Sequence, residues 1–136
     1  MSPVNVITWN VRGVHTPARR DAVYGYLKSH SAHIALLQES HLTQTEIHKL
    51  KRRWHGQIWA TNYSSYARGV AIWIRPGIRF SAEDSVVDPE GRHVFIKGKL
   101  DGRPILIGCI YAPNTDQTTH LHSVSEILSR WRGLPW

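Results

Sequence analysis

Two short segments of the sequence end in side chains that carry oxygen ligands. Residues 7–10 read Ile-Thr-Trp-Asn, and residues 36–39 read Leu-Leu-Gln-Glu. Each is typical of an apolar strand that ends in a polar residue. If the strands are parallel neighbours joined by a helix, the Asn10 amide and the Glu39 carboxylate lie side by side. Mg²⁺ prefers carboxylate, amide oxygen and water as ligands, so the pair suggests a magnesium site of the kind used in phosphate chemistry.

The pattern of apolar residues predicts the elements that position these two groups. Strands are predicted at 4–9 and 33–38, on either side of a helix at 19–29. A second helix follows from Thr43, where a Thr-x-x-Glu capping pattern is present. This alternation is typical of a β-α-β arrangement with right-handed crossovers. The rest of the chain is predicted to form short strands at residues 57–61, 70–74, 79–87, 93–100 and 104–111. One last helix is predicted at residues 118–131.

Four segments, taken together, carry a family resemblance. They are Trp9–Gly13, Gln38–Leu42, Gly69–Ile72 and Ile110–Asn114. In this order and at these intervals they resemble the endonuclease/exonuclease/phosphatase superfamily, closest to the endonuclease domain of non-LTR (LINE-type) retrotransposons. The resemblance covers residues 1–136 but only the N-terminal half of the family's domain. It implies an α+β fold, part of a four-layer α/β-sandwich of the DNase I type, to which this chain would contribute about one β-sheet with flanking helices.

The resemblance also implies roles for four residues. Glu39 corresponds to the direct metal ligand, and Asn10 to the amide beside the metal, which would be Mg²⁺ or Mn²⁺. Tyr111 corresponds to a hydroxyl near the scissile phosphate, and Asn114 to a residue that positions its loop or contacts DNA. On the residues alone, simpler interpretations stay open: Glu39 as a solvated or Arg-paired carboxylate, Asn10 as a turn amide, and Tyr111 as a packing residue.

Basic residues point to a polyanionic partner. The net charge is +7, which favours DNA contacted non-specifically through its backbone, although charge alone also reflects solubility. The candidates near the strand-end rim are Arg12, Arg19, Arg20 and Arg68, with Arg19 and Arg20 expected on an exposed helix start; Arg12 is equally well explained as a solvated loop residue. The basic run at 49–55 is better explained as the outer face of a helix.

The family's second group of motifs does not occur in the 136 residues. A Gly-Asp-Phe-Asn segment and a Ser-Asp-His segment supply, in the family, the Asp that activates the nucleophile and a His that contacts phosphate. The expectation is a Mg²⁺-dependent phosphodiester hydrolase, a DNA endonuclease by resemblance, that is inactive as this truncated chain. The alternative is a catalytically dead retrotransposon-derived fragment with at most non-specific nucleic-acid binding. Whether the chain itself is an enzyme stays open.

Three further expectations concern self-association, the single cysteine and the cellular location. A single sheet would leave residues 70–74 and 94–96 uncovered, which predicts self-association through that face. The sequence has one cysteine, Cys109, expected to be a buried small hydrophobe. With no signal-peptide pattern and no apolar run long enough to cross a bilayer, the expectation is an intracellular protein, nuclear or cytoplasmic, without a membrane partner.

Overall fold

A computed structural model describes residues 4–65 and 67–111, which form two helices and two β-sheets. The elements in chain order are β1 (Val6–Asn10), α1 (Pro17–Ser29), β2 (Ile34–Gln38), α2 (Gln44–Arg53), β3 (Gln57–Ala60), β4 (Val70–Ile74), β5 (Phe80–Val87), β6 (His93–Leu100) and β7 (Arg103–Ile110). The predicted bounds of the strands and of the first helix agree with these to within two residues. The predicted helix at 118–131 lies outside the described residues.

The first sheet has the strand order β1-β2-β4-β3. β1 runs parallel to β2, with Val6 opposite Ile34 and Asn10 opposite Gln38, and α1 connects them. β4 runs antiparallel to both of its neighbours, so the carboxyl ends of β1 and β2 share an edge with the start of β4. The parallel β-α-β unit predicted from the sequence is therefore present.

Local signals fix the two helices. Thr16 caps α1 by accepting a hydrogen bond from the Arg19 backbone N–H, and Pro17 opens the helix, where its missing N–H costs nothing. At the start of α2 the expected capping pattern forms only in part. Thr43 is the N-cap residue, but its hydroxyl donates to the Glu46 carboxylate and accepts no hydrogen bond from the N–H groups of the first turn.

β5, β6 and β7 form a second antiparallel sheet that packs on the first. The core between the sheets holds one face of β4 against one face of β6; its central residues are Val70, Ile72, Ile74, Val94 and Ile96, all with no exposed surface. The α+β class is confirmed, but the chain builds two sheets and not about one. The prediction that residues 70–74 and 94–96 are uncovered is wrong, because each sheet covers the other. Self-association was predicted from that uncovered face, so the structure removes the reason for predicting it.

The opposite face of the first sheet packs against the helices. Ala71 and Trp73 of β4, with Leu37 of β2, lie in a core with Leu27 of α1 and Leu50 of α2. Alternate residues of β4 thus enter two different cores, which explains why that strand is apolar throughout. Within residues 4–65 and 67–111, no helix is long and apolar enough to cross a membrane.

Candidate metal and phosphate site

Asn10 and Glu39 lie at the same edge of the first sheet. Asn10 is the last residue of β1 and pairs with Gln38, the last residue of β2, and Glu39 follows directly. The two chains stay hydrogen-bonded beyond the strands: the Val11 N–H donates to the Gln38 carbonyl (3.0 Å) and the Gly13 N–H to the Glu39 carbonyl (2.7 Å). The edge expected from the sequence is therefore present, while the roles of both side chains as ligands stay predictions.

The backbone at this edge is unusual. Glu39, His41 and Arg12 have φ angles of 52°, 55° and 50°, in the left-handed region that side chains other than glycine rarely occupy. The loop before β4 holds the segment after β2 by accepting a hydrogen bond, since the Ser40 N–H donates to the Gly69 carbonyl (3.0 Å). Each residue in such a conformation costs about 1–3 kcal/mol and persists only where the surrounding structure holds it. Residues of this kind cluster at functional sites.

The Asn10 amide has a local structural role as well. Its Oδ1 accepts a hydrogen bond from the Arg12 backbone N–H at 3.2 Å, which is the turn role that the sequence left open. An amide oxygen has two lone pairs, so this bond leaves one acceptor position on Asn10. The structure is thus compatible with both interpretations of this residue.

Two histidines at this edge were not identified from the sequence. The rings of His15 and His41 lie 6.3 Å apart, and both Nδ1 atoms approach Gly13, where a Cβ would lie 2.9 Å from that of His41 and 3.2 Å from that of His15. Burial lowers the pKa of His41, and the nearby Glu39 carboxylate opposes that shift. His41 lies two residues after Glu39 in the motif, which is the signal that would have identified it.

The arginines predicted to contact DNA differ in whether their side chains are free to do so. Arg12 is exposed at the rim. The Arg19 guanidinium donates to the carbonyls of Gly13 (2.8 Å) and Arg12 (3.1 Å), so it holds the loop after β1. Arg20 is only 7% exposed and donates to the Val14 carbonyl (3.3 Å). The expectation that Arg20 is exposed is wrong, because that loop carbonyl draws its side chain inward.

Arg68 lies on the other side of the same edge. Its carbonyl accepts a hydrogen bond from the His41 N–H (3.1 Å), and its guanidinium lies 5.2 Å from the centre of the Tyr63 ring. The guanidinium also donates to the Glu90 carbonyl at 3.4 Å. Arg68 is partly buried, so only part of its side chain is open to a phosphate.

Tyr111 directly follows β7 of the second sheet. Two residues before it, the Cys109 thiol contacts the Leu37 carbonyl at 3.6 Å, and Cys109 is buried as expected. The Tyr111 N–H donates to the Arg92 carbonyl (2.7 Å). The Cys109 contact lies in β2, two residues before Glu39. Asn114 lies outside the described residues.

The donor chemistry at this edge fits a hard cation. Among residues 4–65 and 67–111 there is no group of three or more His, Cys, Asp or Glu side chains that could hold a metal ion. Glu39 and Asn10 offer one carboxylate and one amide oxygen. Mg²⁺ needs few protein ligands, since it usually keeps several waters and takes one or two carboxylates.

Residues 7–135 match the model of the Endonuclease/Exonuclease/phosphatase family. The chain belongs to this family. The match spans the strand-end edge and both sheets, so the predicted superfamily is confirmed.

Solved structures with the same fold include TDP2 and AP endonucleases. TDP2 from D. rerio, solved with a single-strand DNA product, has 16% identity and a TM-score of 0.63 over 97% of this chain and 56% of its own. The AP endonuclease LMAP from Leishmania major has 16% identity and a TM-score of 0.61 over 96% of this chain and 45% of its own. An AP endonuclease from Archaeoglobus fulgidus has 19% identity and a TM-score of 0.50, covering 94% and 50%. This member of the family therefore spans about half the length of the structures that it matches.

Proposed function

We propose that the domain to which this chain belongs is a divalent-metal-dependent phosphodiester hydrolase that acts on DNA, and that these residues supply its metal-holding half. The observation that carries the proposal is the edge shared by Asn10 and Glu39 at the ends of parallel strands. The cation is Mg²⁺, with Mn²⁺ as a substitute, because both donors are oxygens.

In this proposal the chain's own groups divide the work. Glu39 and Asn10 would hold the cation, which when bound supplies Lewis-acid stabilisation of charge on a phosphoryl oxygen. Arg12, exposed beside them, binds the phosphate, because a guanidinium matches phosphate oxygens in bidentate fashion. Tyr111 keeps the role near the scissile phosphate, and Asn114 the role of positioning its loop or contacting DNA, that the family resemblance implies.

DNA is the proposed substrate, bound by non-specific backbone contacts. The net charge of +7 supports it, as does the single-strand DNA product in the structure of D. rerio TDP2. Within the family, the segments Trp9–Gly13 and Gln38–Leu42 support a LINE-type retrotransposon endonuclease. A small-molecule phosphatase or a lipid phosphodiesterase is disfavoured by the basic composition.

The 136 residues alone are proposed to bind without hydrolysing. They contain neither a Gly-Asp-Phe-Asn nor a Ser-Asp-His segment, so the Asp to which the family resemblance gives the role of activating the nucleophile is not among them. Catalytic groups that act together are lost together, and removing several of them removes nearly all of the acceleration. A retrotransposon-derived chain with residual DNA affinity would behave in this way.

The metal site is tested by Mn²⁺ binding, followed by water-proton relaxation. Glu39→Gln keeps the shape of the side chain and removes its charge, and is expected to weaken binding roughly ten-fold or more. Glu83→Gln is the matched control, because Glu83 is exposed on β5 of the second sheet. Equal Mn²⁺ affinity in the parent chain and in Glu39→Gln would overturn the proposed site.

Hydrolysis is tested separately by nicking of supercoiled plasmid in Mg²⁺. The expectation is no nicking by the parent chain above the level of Glu39→Gln, together with a gel shift that weakens steeply as salt rises. Nicking that disappears in Glu39→Gln would show that the chain alone is active, and would refute the binding-only part. A gel shift insensitive to salt would refute DNA backbone contacts.

A further inference from the structure

A groove lies at the end of the first sheet opposite the Asn10–Glu39 edge. Arg75, directly after β4, donates its N–H to the carbonyl of His33, directly before β2 (2.9 Å). Glu39 directly follows β2 at its other end. The five residues of β2 lie between His33 and Glu39, so the two places are about 20 Å apart. The groove is therefore not part of the candidate metal site.

The groove has the size and lining of a small-ligand pocket. Its volume is about 350 Å³, and its apolar lining includes Tyr24, Leu27, Trp54 and Pro76. Pockets that hold small molecules are roughly 300–1,000 Å³ and are mostly apolar, with few polar groups. A ligand here must therefore bring an apolar or aromatic portion.

Two aromatic rings in the lining are held in place from behind. The rings of Tyr24 and Trp54 are parallel to within 7°, with centres 5.5 Å apart. Trp73, which is 1% exposed, packs against both, at 5.2 Å and 5.6 Å. The Trp54 indole N–H donates to the Ile74 carbonyl at 3.1 Å. Little side-chain freedom is left to lose when a flat ligand stacks on this pair.

Two cations complete the lining. Lys28, in the last turn of α1, and Arg75 are both exposed, and both line the groove. In the part of the chain that the structure describes, neither forms a salt bridge, and no acidic residue lines the groove. The groove thus combines aromatic surface with two positive charges that lack a counter-charge.

We propose that this groove binds a nucleotide, with its base stacked on the Tyr24–Trp54 pair and its phosphate at Lys28 and Arg75. Stacking on aromatic side chains accepts any base, because every base has a π-face. A purely apolar ligand would leave the two cations without a partner, and a simple anion would leave the aromatic lining unused. The proposal does not depend on hydrolysis or on a metal.

The test is titration of the chain with deoxyadenosine 5′-phosphate in EDTA, followed by tryptophan fluorescence and calorimetry. EDTA keeps metal-dependent binding at the Asn10–Glu39 edge out of the measurement. Saturable binding is expected, with deoxyadenosine about ten-fold weaker or more, because it lacks the charged group. Inorganic phosphate at the same concentration is expected not to compete, because it cannot stack.

A pair of charge variants locates the binding. Lys28→Gln/Arg75→Gln is expected to weaken nucleotide binding about ten-fold or more. Lys99→Gln/Arg103→Gln removes the same charge from exposed positions of the second sheet and is expected to bind like the parent chain. All four side chains are exposed, so the variants are expected to fold, which a thermal melt checks.

Three results would overturn the proposal. The first is no saturable nucleotide binding by the parent chain, and the second is equal affinity for deoxyadenosine and its phosphate. The third is equal weakening in both double variants, which would indicate a general effect of charge. Glu39→Gln is expected to bind the nucleotide normally in EDTA, so failure here is distinguishable from failure of the metal site.

Discussion

Replacing Gly69 by alanine tests whether the strained edge is held by close packing. Gly69 has a φ of +98°, and a Cβ there would lie 2.5 Å from the Ser40 hydroxyl oxygen and 3.1 Å from the His41 backbone nitrogen. The backbone term is about 1–2 kcal/mol for a side chain in a left-handed conformation. Forcing a methyl group into packed surroundings adds about 1–3 kcal/mol. Gly69→Ala is therefore expected to lower the free energy of unfolding by about 2–5 kcal/mol.

Urea denaturation followed by circular dichroism measures this loss. With a slope of about 2 kcal/mol per molar urea, a loss of 3 kcal/mol moves the midpoint by about 1.5 M. Gly77→Ala is the matched control, since Gly77 has a φ of +88° and no heavy atom lies within 4 Å of its Cβ position. It is expected to show the backbone term alone, about 1–2 kcal/mol.

The steric part is expected to be relieved by a second change. Ser40→Ala removes the oxygen that the new methyl group meets, so the double variant Ser40→Ala/Gly69→Ala should recover about 1–2 kcal/mol relative to Gly69→Ala. The Ser40 hydroxyl has no hydrogen-bond partner among the described residues, so Ser40→Ala alone should cost little. If Gly69→Ala costs no more than Gly77→Ala, or if the double variant recovers nothing, the packing account of this edge is wrong.

Three further outcomes are expected. Burial raises the pKa of Asp88, but hydrogen bonds from N–H donors of Glu90 and Arg92 outweigh this effect, so the pKa is lowered overall. The Asp88 carboxylate therefore contributes stability above its ordinary pKa of 3.8. That contribution is lost as the pH falls through the lower pKa of the folded state. The urea midpoint of the parent chain should thus fall more on acidification than that of Asp88→Asn, and equal falls would contradict this. Burial raises the pKa of Cys109 to about 11, so a thiol reagent at neutral pH should label it only on unfolding, and fast labelling of folded protein would be the contrary result. Burial lowers the pKa of His41 below 6.5; its imidazole NMR signals should titrate below that value, and a midpoint above it would refute the assigned surroundings.

Local patterns in the sequence were enough to predict the elements and the edge at the end of β1 and β2. The run Ile34–Leu37 is apolar throughout, and the structure buries it between two cores. Pairing over long distances was not predictable in the same way. Apolar and polar residues alternate along β6, as in a strand with one face in solvent. That alternation does not indicate that the apolar side of β6 packs against Val70, Ile72 and Ile74. The second sheet was therefore missed as a cover for the first.

The candidate site shows the same limit. Asn10 and Glu39 end recognisable strands, so their shared edge follows from local pattern and parallel pairing. The burial of Arg20 depends on a loop carbonyl, that of Val14, whose position no local pattern encodes. His15 and His41 both approach Gly13, which has a φ of +101° and no Cβ that would meet the two rings.

The strand order of the first sheet also constrains how the chain can acquire its structure during synthesis. β3 precedes β4 in the sequence, yet β4 is its pairing partner and lies between it and β2. A nascent chain that has emerged from the ribosome only as far as residue 60 thus has β3 without the neighbour that it will pair with. Completion of this sheet must wait until residues 70–74 have emerged and inserted. Until then the apolar side chains of β2 and β3 are a target for chaperones and a risk for misassociation.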